Sequence, residues 1–332
     1  MAARLFLSLA VVLAFGCKKK PAEEEPAPQP TGTAGTSGHS VTKIKDDGSG
    51  SATGSAGSGS AGGKPLAGVT AVSVGGDRAC AIADEKLYCW DKGAPAEMME
   101  APDKVKLVAG AQCAALDDMS VWCWPHTLKL SAAGRQVDVG QLAASATDIC
   151  ASFRLFTKCW KPGDDAPRVE FDWAGLDLLA VGNGRVCSVV SGGDVECTPT
   201  SSPKPQQIHE LEDIAAIALQ DATACTASTK GGAVECWVDA RSRTPVPGVT
   251  GASALAIAPS GDACALTGSG AVTCWKLSLL SGQVSDAPRP IAGLGNAVAI
   301  GVGNGFGCAA TQDKKAVCWN DGEDKPTPVV AK

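Results

Sequence analysis

The chain has 332 residues, 5% of them aromatic, with 29 Lys/Arg against 35 Asp/Glu and 15 cysteines. Charged residues make up 19%, which excludes a charge-rich disordered polymer over most of the length. Fifteen cysteines point away from a reducing compartment. Residues 1–64 carry seven Lys/Arg and five Asp/Glu, leaving 22 against 30 and a net charge of −8 for the rest. That balance argues against nucleic acid as a partner, because such a binder needs a basic footprint to displace counterions.

Arg4 precedes an apolar run of 11 residues from Leu5 to Phe15, a length that suits a secretory signal and is too short to span a bilayer. Gly16-Cys17-Lys18 follows. This junction resembles the lipobox of bacterial lipoproteins, although Ala14 stands where a leucine is usual. The resemblance implies a signal peptide over 1–17, lipidation at Cys17, and anchoring in a bacterial cell envelope at the outer membrane. Residues 18–64 are rich in Lys, Glu, Pro and then Gly/Ser/Ala, a composition that cannot bury enough apolar surface to fold. They read as a disordered tether with an average span of about 35–40 Å. Lys18, Lys19 and Lys20 would lie beside anionic headgroups.

The remaining 14 cysteines form seven pairs: Cys80/Cys89, Cys113/Cys123, Cys150/Cys159, Cys187/Cys197, Cys225/Cys236, Cys264/Cys274 and Cys308/Cys318. First cysteines of successive pairs are 33 to 44 residues apart, the mark of a repeat architecture over 65–332. Each pair reads as a β-hairpin. Folding Cys264–Cys274 about Ser269 sets Leu266 opposite Val272 and the two cysteines opposite each other. Directly opposed residues have Cα atoms about 4.5–5.5 Å apart, within disulfide range. Structural zinc needs cysteines about three to five positions apart, often with histidine. Pairs 9 to 11 apart and three histidines in all do not meet that need, so no metal or cofactor is expected.

A short apolar stretch precedes most hairpins, as in Ala71–Val74, Leu178–Val181 and Ala297–Val302, and reads as a buried inner strand. Pro/Gly segments after the hairpins suit connections and an edge strand. Three or four short strands per unit is the size of a propeller blade. The expected fold is an all-β, seven-bladed propeller with one hairpin disulfide per blade. The tail Pro326–Val330 is expected to close the ring by pairing near Pro65–Val69.

Six of the second cysteines precede tryptophan: Trp90, Trp124, Trp160, Trp237, Trp275 and Trp319. The fourth copy has Thr198. The core Gly-x-Val-x-Cys-Trp, as in Gly232–Trp237 and Gly270–Trp275, resembles the regulator-of-chromosome-condensation repeat family. The likeness covers about residues 65–332 and implies the seven-bladed propeller. The family's Gly after Trp and its Gly-Gln-Leu-Gly run are absent from every copy. Secreted bacterial propellers of this family include a β-lactamase inhibitor that binds its target with one face, which implies a protein-binding role.

No catalytic constellation is legible. His126 and His209 lie between hairpins, and the carboxylate pairs Asp117/Asp118 and Asp164/Asp165 read as turn residues. Gly182-Asn-Gly184 and Gly303-Asn-Gly305 read as tight turns entering the hairpins rather than phosphate loops. The recurrent tryptophan reads as blade-to-blade packing. Met98, Met99, Trp122 and Trp173 break the repeat, and off-pattern apolar residues on connections are where a partner surface is expected. The reading is a non-enzymatic, membrane-anchored binder of another protein in the envelope or outside the cell; the alternatives are an enzyme or carbohydrate-binding propeller acting from the central channel, or a structural envelope component.

Overall fold

The computed structural model describes residues 63–332, except 125, 129–130, 133–134, 137, 174–175, 191–192, 203, 210 and 324. The expected signal peptide, Cys17 and the expected tether up to residue 62 lie outside the described residues. Among the described residues every regular element is a strand, and the strands form seven four-stranded antiparallel sheets in simple chain order. These are the blades of a β-propeller. The first runs Val69–Gly75, Arg78–Ala83, Lys86–Asp91 and Glu97–Met99. The others repeat this order of inner strand, hairpin pair and outer strand. A two-stranded ribbon, Ser131–Ala132 with Arg135–Gln136, lies between blades two and three in sequence.

The predicted register holds at every hairpin: each first cysteine pairs directly with its second. All seven disulfides form, with Cα atoms 4.0 or 4.1 Å apart. The alternation of antiparallel bonding explains the short separation. The first cysteine always stands three residues before the pair that closes its hairpin. Thr267 N–H donates to the Ala271 carbonyl, and Thr311 N–H to that of Lys315. Stepping back three residues from such a hydrogen-bonded pair lands on a non-hydrogen-bonded one, where opposed side chains stand closest. Loop length varies between blades, but this offset does not.

The core lies between blades rather than within them. Seven buried clusters each span one junction. In five junctions the tryptophan after the second cysteine of one blade packs with the disulfide of the blade before it. Trp160 shares a cluster with Cys113 and Cys123, Trp237 with Cys187 and Cys197, and Trp275 with Cys225 and Cys236. Trp319 joins Cys264, and Trp90 joins Cys308 across the closure of the ring.

The tail closes the ring at the expected place. Pro65 bridges Val330, Leu66 N–H donates to the Val329 carbonyl at 2.8 Å, and Ala331 N–H to that of Lys64 at 2.9 Å. Beyond the expectation, the last residue reaches blade one: Lys332 N–H donates to the Ala96 carbonyl, and Lys332 Nζ lies 2.6 Å from Glu97 Oε1. The hydrogen bond from Lys332, and then its charge, holds the Glu97 carboxyl below its ordinary pKa, while Lys332 is held above its own. A lowered carboxyl pKa makes this clasp fully present above the ordinary value and lost as pH falls through the lowered one. Lys332→Gln is expected to return the Glu97 titration, followed by NMR, upward to the ordinary carboxyl range. An unchanged titration would show that the clasp does not form in solution.

Candidate functional site

The blade order sorts the loops into two mouths of the ring. The turn from inner strand to hairpin and the loop to the outer strand share one mouth; the hairpin turns share the other. The predicted tight turns sit at the first mouth, where Gly184 and Gly305 adopt positive φ. Contacts from blade to blade fix this mouth. Gln112 Nε2 donates to the Ser145 carbonyl, and Gly184 N–H to Asp148 Oδ2 at 2.8 Å. Asn183 Nδ2 donates to Asp221 Oδ1 at 2.6 Å, and Arg185 to the Ala222 carbonyl at 3.2 Å. Arg185 also lies over the Trp237 ring, and its burial pushes the guanidinium below its ordinary pKa. Thr223 Oγ1 donates to the Leu279 carbonyl, Gly305 N–H to Asp262 Oδ2, and Lys92 Nζ to the Gly305 carbonyl. Between blades one and two the backbones themselves meet, since a Cβ on Gly75 would stand 2.1 Å from the Gly110 oxygen.

Two features of this mouth face solvent. The first is the loop joining Val272–Leu277 to Val284–Pro290 in blade six. Ser278 and Gln283 close it by a 2.8 Å bond, Leu279 packs on the core, and Thr223 of blade five holds it. Gly282, at φ +71°, backs onto Trp237, where a Cβ would come within 2.9 Å of the Trp237 Cα. A loop this firmly held presents Leu280 at 94% exposure. The second feature is a narrow, solvent-open cleft of about 40 Å³ between blades six and seven. Phe306 and Trp319 contribute to its apolar wall, and the Cys264–Cys274 disulfide lines it. Lys276 lies 3.4 Å from Asp262 and 3.7 Å from Asp321, and Arg289 lies 3.6 Å from Asp321. The charge of Asp262 and then its hydrogen bond hold the Lys276 ammonium above its ordinary pKa.

The structure separates the four expected surface residues. Met98 is exposed on the outer strand of blade one. Met99 is half-buried, packs at the junction of blades one and two, and accepts a contact from Arg78 through its sulfur. Trp122 and Trp173 are corrections: they are only 8% and 3% exposed and belong to the core. Trp122 shares a cluster with Cys80 and Cys89, so it packs with the preceding disulfide as the repeat tryptophans do elsewhere. Trp173 serves the junction of blades three and four, where Thr198 of blade four stands in place of the repeat tryptophan. It stacks on Phe171 at 4.6 Å beside Cys150 and Cys159, and its indole N–H donates to Glu196 Oε2 at 2.6 Å. The off-pattern tryptophan thus repairs the irregular copy.

The other candidates take structural parts. Asp117 pairs with Lys106, Asp118 accepts from Ser120 N–H, and Asp164 accepts from Arg168 and from Lys161 N–H. The Arg168 hydrogen bond and then that backbone bond hold the Asp164 carboxyl below its ordinary pKa. His209 is exposed beside a groove lined by Asp213, Lys230 and Arg243. The His126 backbone enters the outer strand of blade two. Among the described residues no group of three or more His, Cys, Asp or Glu converges to hold a metal ion. Leu280 and the cleft escaped the sequence reading. The adjacent pair Leu279-Leu280 in a Ser/Gly-bounded loop was the available signal for the first.

No family model matches the chain, and no curated protein matches it. Solved structures do. A chain of a mitotic checkpoint complex matches with a TM-score of 0.54 at 13% identity, covering 82% of this chain and 99% of that one. Prp20p from Saccharomyces cerevisiae matches at 0.50 and 11%, covering 79% and 76%. The CRINKLY WD40 ectodomain of the Arabidopsis thaliana receptor kinase ACR4 matches at 0.50 and 15%, covering 77% and 98%. These likenesses carry the propeller fold.

Trp173→Ala is expected to cost about 3–5 kcal/mol in denaturant unfolding, as for a buried aromatic removed from a packed junction. Trp173→Phe keeps a ring but orphans the bond to Glu196, with an expected cost of about 1–3 kcal/mol. A loss below about 1 kcal/mol for the alanine variant would show that the indole does not fill this junction.

Proposed function

We propose that the chain is a lipid-anchored protein of a bacterial cell envelope whose propeller binds another protein without catalysing a reaction. The observation that carries this reading is Leu280, fully exposed on a loop held to blade five. An apolar side chain fixed in water gains nothing for the fold, whereas a partner's pocket would remove it from solvent for about 1.5–3 kcal/mol. Its loop is ordered before binding, so association need not fund that ordering. Prp20p, which shares the fold, is described with its binding to Gsp1p and histones. The acidic body suits a partner with a basic surface, and Cys17 would hold the propeller near the membrane on its tether.

A photo-crosslinking residue placed at 280 in living cells tests the binding, with the same residue at 155 as control. Leu155 is also exposed, at 63%, but lies in a hairpin turn at the opposite mouth. One protein adduct of defined mass is expected at 280 and not at 155. Excess purified chain should compete it away, while the Leu280→Asp chain should not. Equal adducts at both positions, or none together with turnover of a glycan library, would overturn the binding reading. In the same cells Cys17→Ser should move the chain from the membrane to the soluble fraction; continued retention would overturn the anchor.

A further inference from the structure

The seven disulfides are alike in register but not in cover. In blades one to five the second cysteines, Cys89, Cys123, Cys159, Cys197 and Cys236, are all buried. Cys274 of blade six and Cys318 of blade seven are part-exposed. Of these two, only the Cys264–Cys274 pair lines the cleft between blades six and seven. The outer strand of blade six accounts for the opening. Its pairing with Val272–Leu277 slips twice, between Cys274 and Lys276 and again between Lys276 and Leu277, and it carries Pro288 and Pro290, which lack an N–H to donate. Trp319 from blade seven packs with Cys264, whereas Cys274 on the other side of the pair is only partly buried against this cluster.

A thiolate attacks a disulfide at one sulfur, so the rate depends on access to that sulfur and on the charges beside it. Arg289 stands directly across the strand pair from Cys274. Lys276 is two residues along and so on the same face as Cys274. Both cations, paired with Asp262 and Asp321, offset part of the carboxylate charge beside Cys274, so a singly charged thiolate is opposed less than a reductant with further negative charge. The carboxylates of Asp262, Asp286, Asp321 and Glu323 also line the cleft, so the rim is net acidic and repels reductants that carry extra negative charge.

We infer that Cys264–Cys274 is a thiol–disulfide exchange site, open to small uncharged dithiols and closed to anionic thiols such as glutathione. The thiolate of the dithiol attacks Cys274 Sγ. The Cys264–Cys274 bond breaks, and Cys264 leaves as a thiolate that takes up a proton. The second thiol of the reductant then attacks the mixed disulfide, releasing Cys274 as a thiol. The protein disulfide is reduced and the dithiol is oxidised to its cyclic disulfide, with two electrons and two protons transferred. Blade six thereby loses its covalent staple, while the five covered blades keep theirs.

The test is timed reduction of the folded full chain with dithiothreitol. Acid quench and light iodoacetamide mark the opened cysteines. Unfolding, complete reduction and heavy iodoacetamide mark the rest, and the peptides are read by mass spectrometry. Light label at Cys264 and Cys274 is expected to rise at least tenfold faster than at Cys80, Cys89, Cys225 and Cys236, with the Cys308–Cys318 pair second. Even opening of all seven pairs, or first opening in blades one to five, would overturn the site. Lys276→Gln is expected to slow opening of this pair alone by several-fold, and glutathione at equal thiolate concentration to open it several-fold more slowly than dithiothreitol. Rates unchanged by both would overturn the electrostatic part.

Discussion

Everything in this molecule depends on the contact between a cystine and the aromatic ring of the neighbouring blade. A blade of about 38 residues is too small to hold a core of its own, and chains below about 40 residues generally need disulfides, metals or association to fold. Each blade here uses two of those means. Its cystine ties the hairpin across the closest kind of strand pair, and the same cystine forms part of the wall against which the next blade packs. The staple inside one unit is therefore the packing surface between two, and each buried cluster draws on two neighbouring blades.

This dual use explains which parts of the fold were legible. Cysteine spacing fixes hairpin register, because a side-chain period of two allows one pairing and a slip by one residue would turn every cysteine to the other face. The blade count follows from seven pairs, and the closure from a tail that ends just after the seventh. Trp122 and Trp173 break the pattern within each copy but obey it between copies, because the packing unit is the junction. Seen that way, Thr198 leaves a space that Trp173 of the preceding blade fills, with Glu196 satisfying its indole.

The candidate site was much less legible. Exposure of Leu280 depends on Gly282 lying against blade five, a contact between residues 45 positions apart in the chain. The cleft depends on two slips in the register of one edge strand, which follow from no local pattern. Lys276, Arg289 and Asp321 come together across two blades, and none belongs to a motif. The repeat dictates what is common to all seven units; function is expected in the departures from it, and those are set by packing at long range.

The ring has a seam, and the described chain begins at it. Six junctions are crossed by continuous chain, while the seventh is shut by backbone bonds between Lys64–Leu66, Val329–Lys332 and Ala96. Tension applied at residue 63 would therefore reach the seam before any blade interior. The bonds nearest the point of pull would bear it first, opening in sequence rather than together. With each hairpin closed by its own cystine, the blades are shielded from extension within those loops. Under load from that end, the clasp bonds would yield before the blade hairpins, each of which is closed by its own cystine.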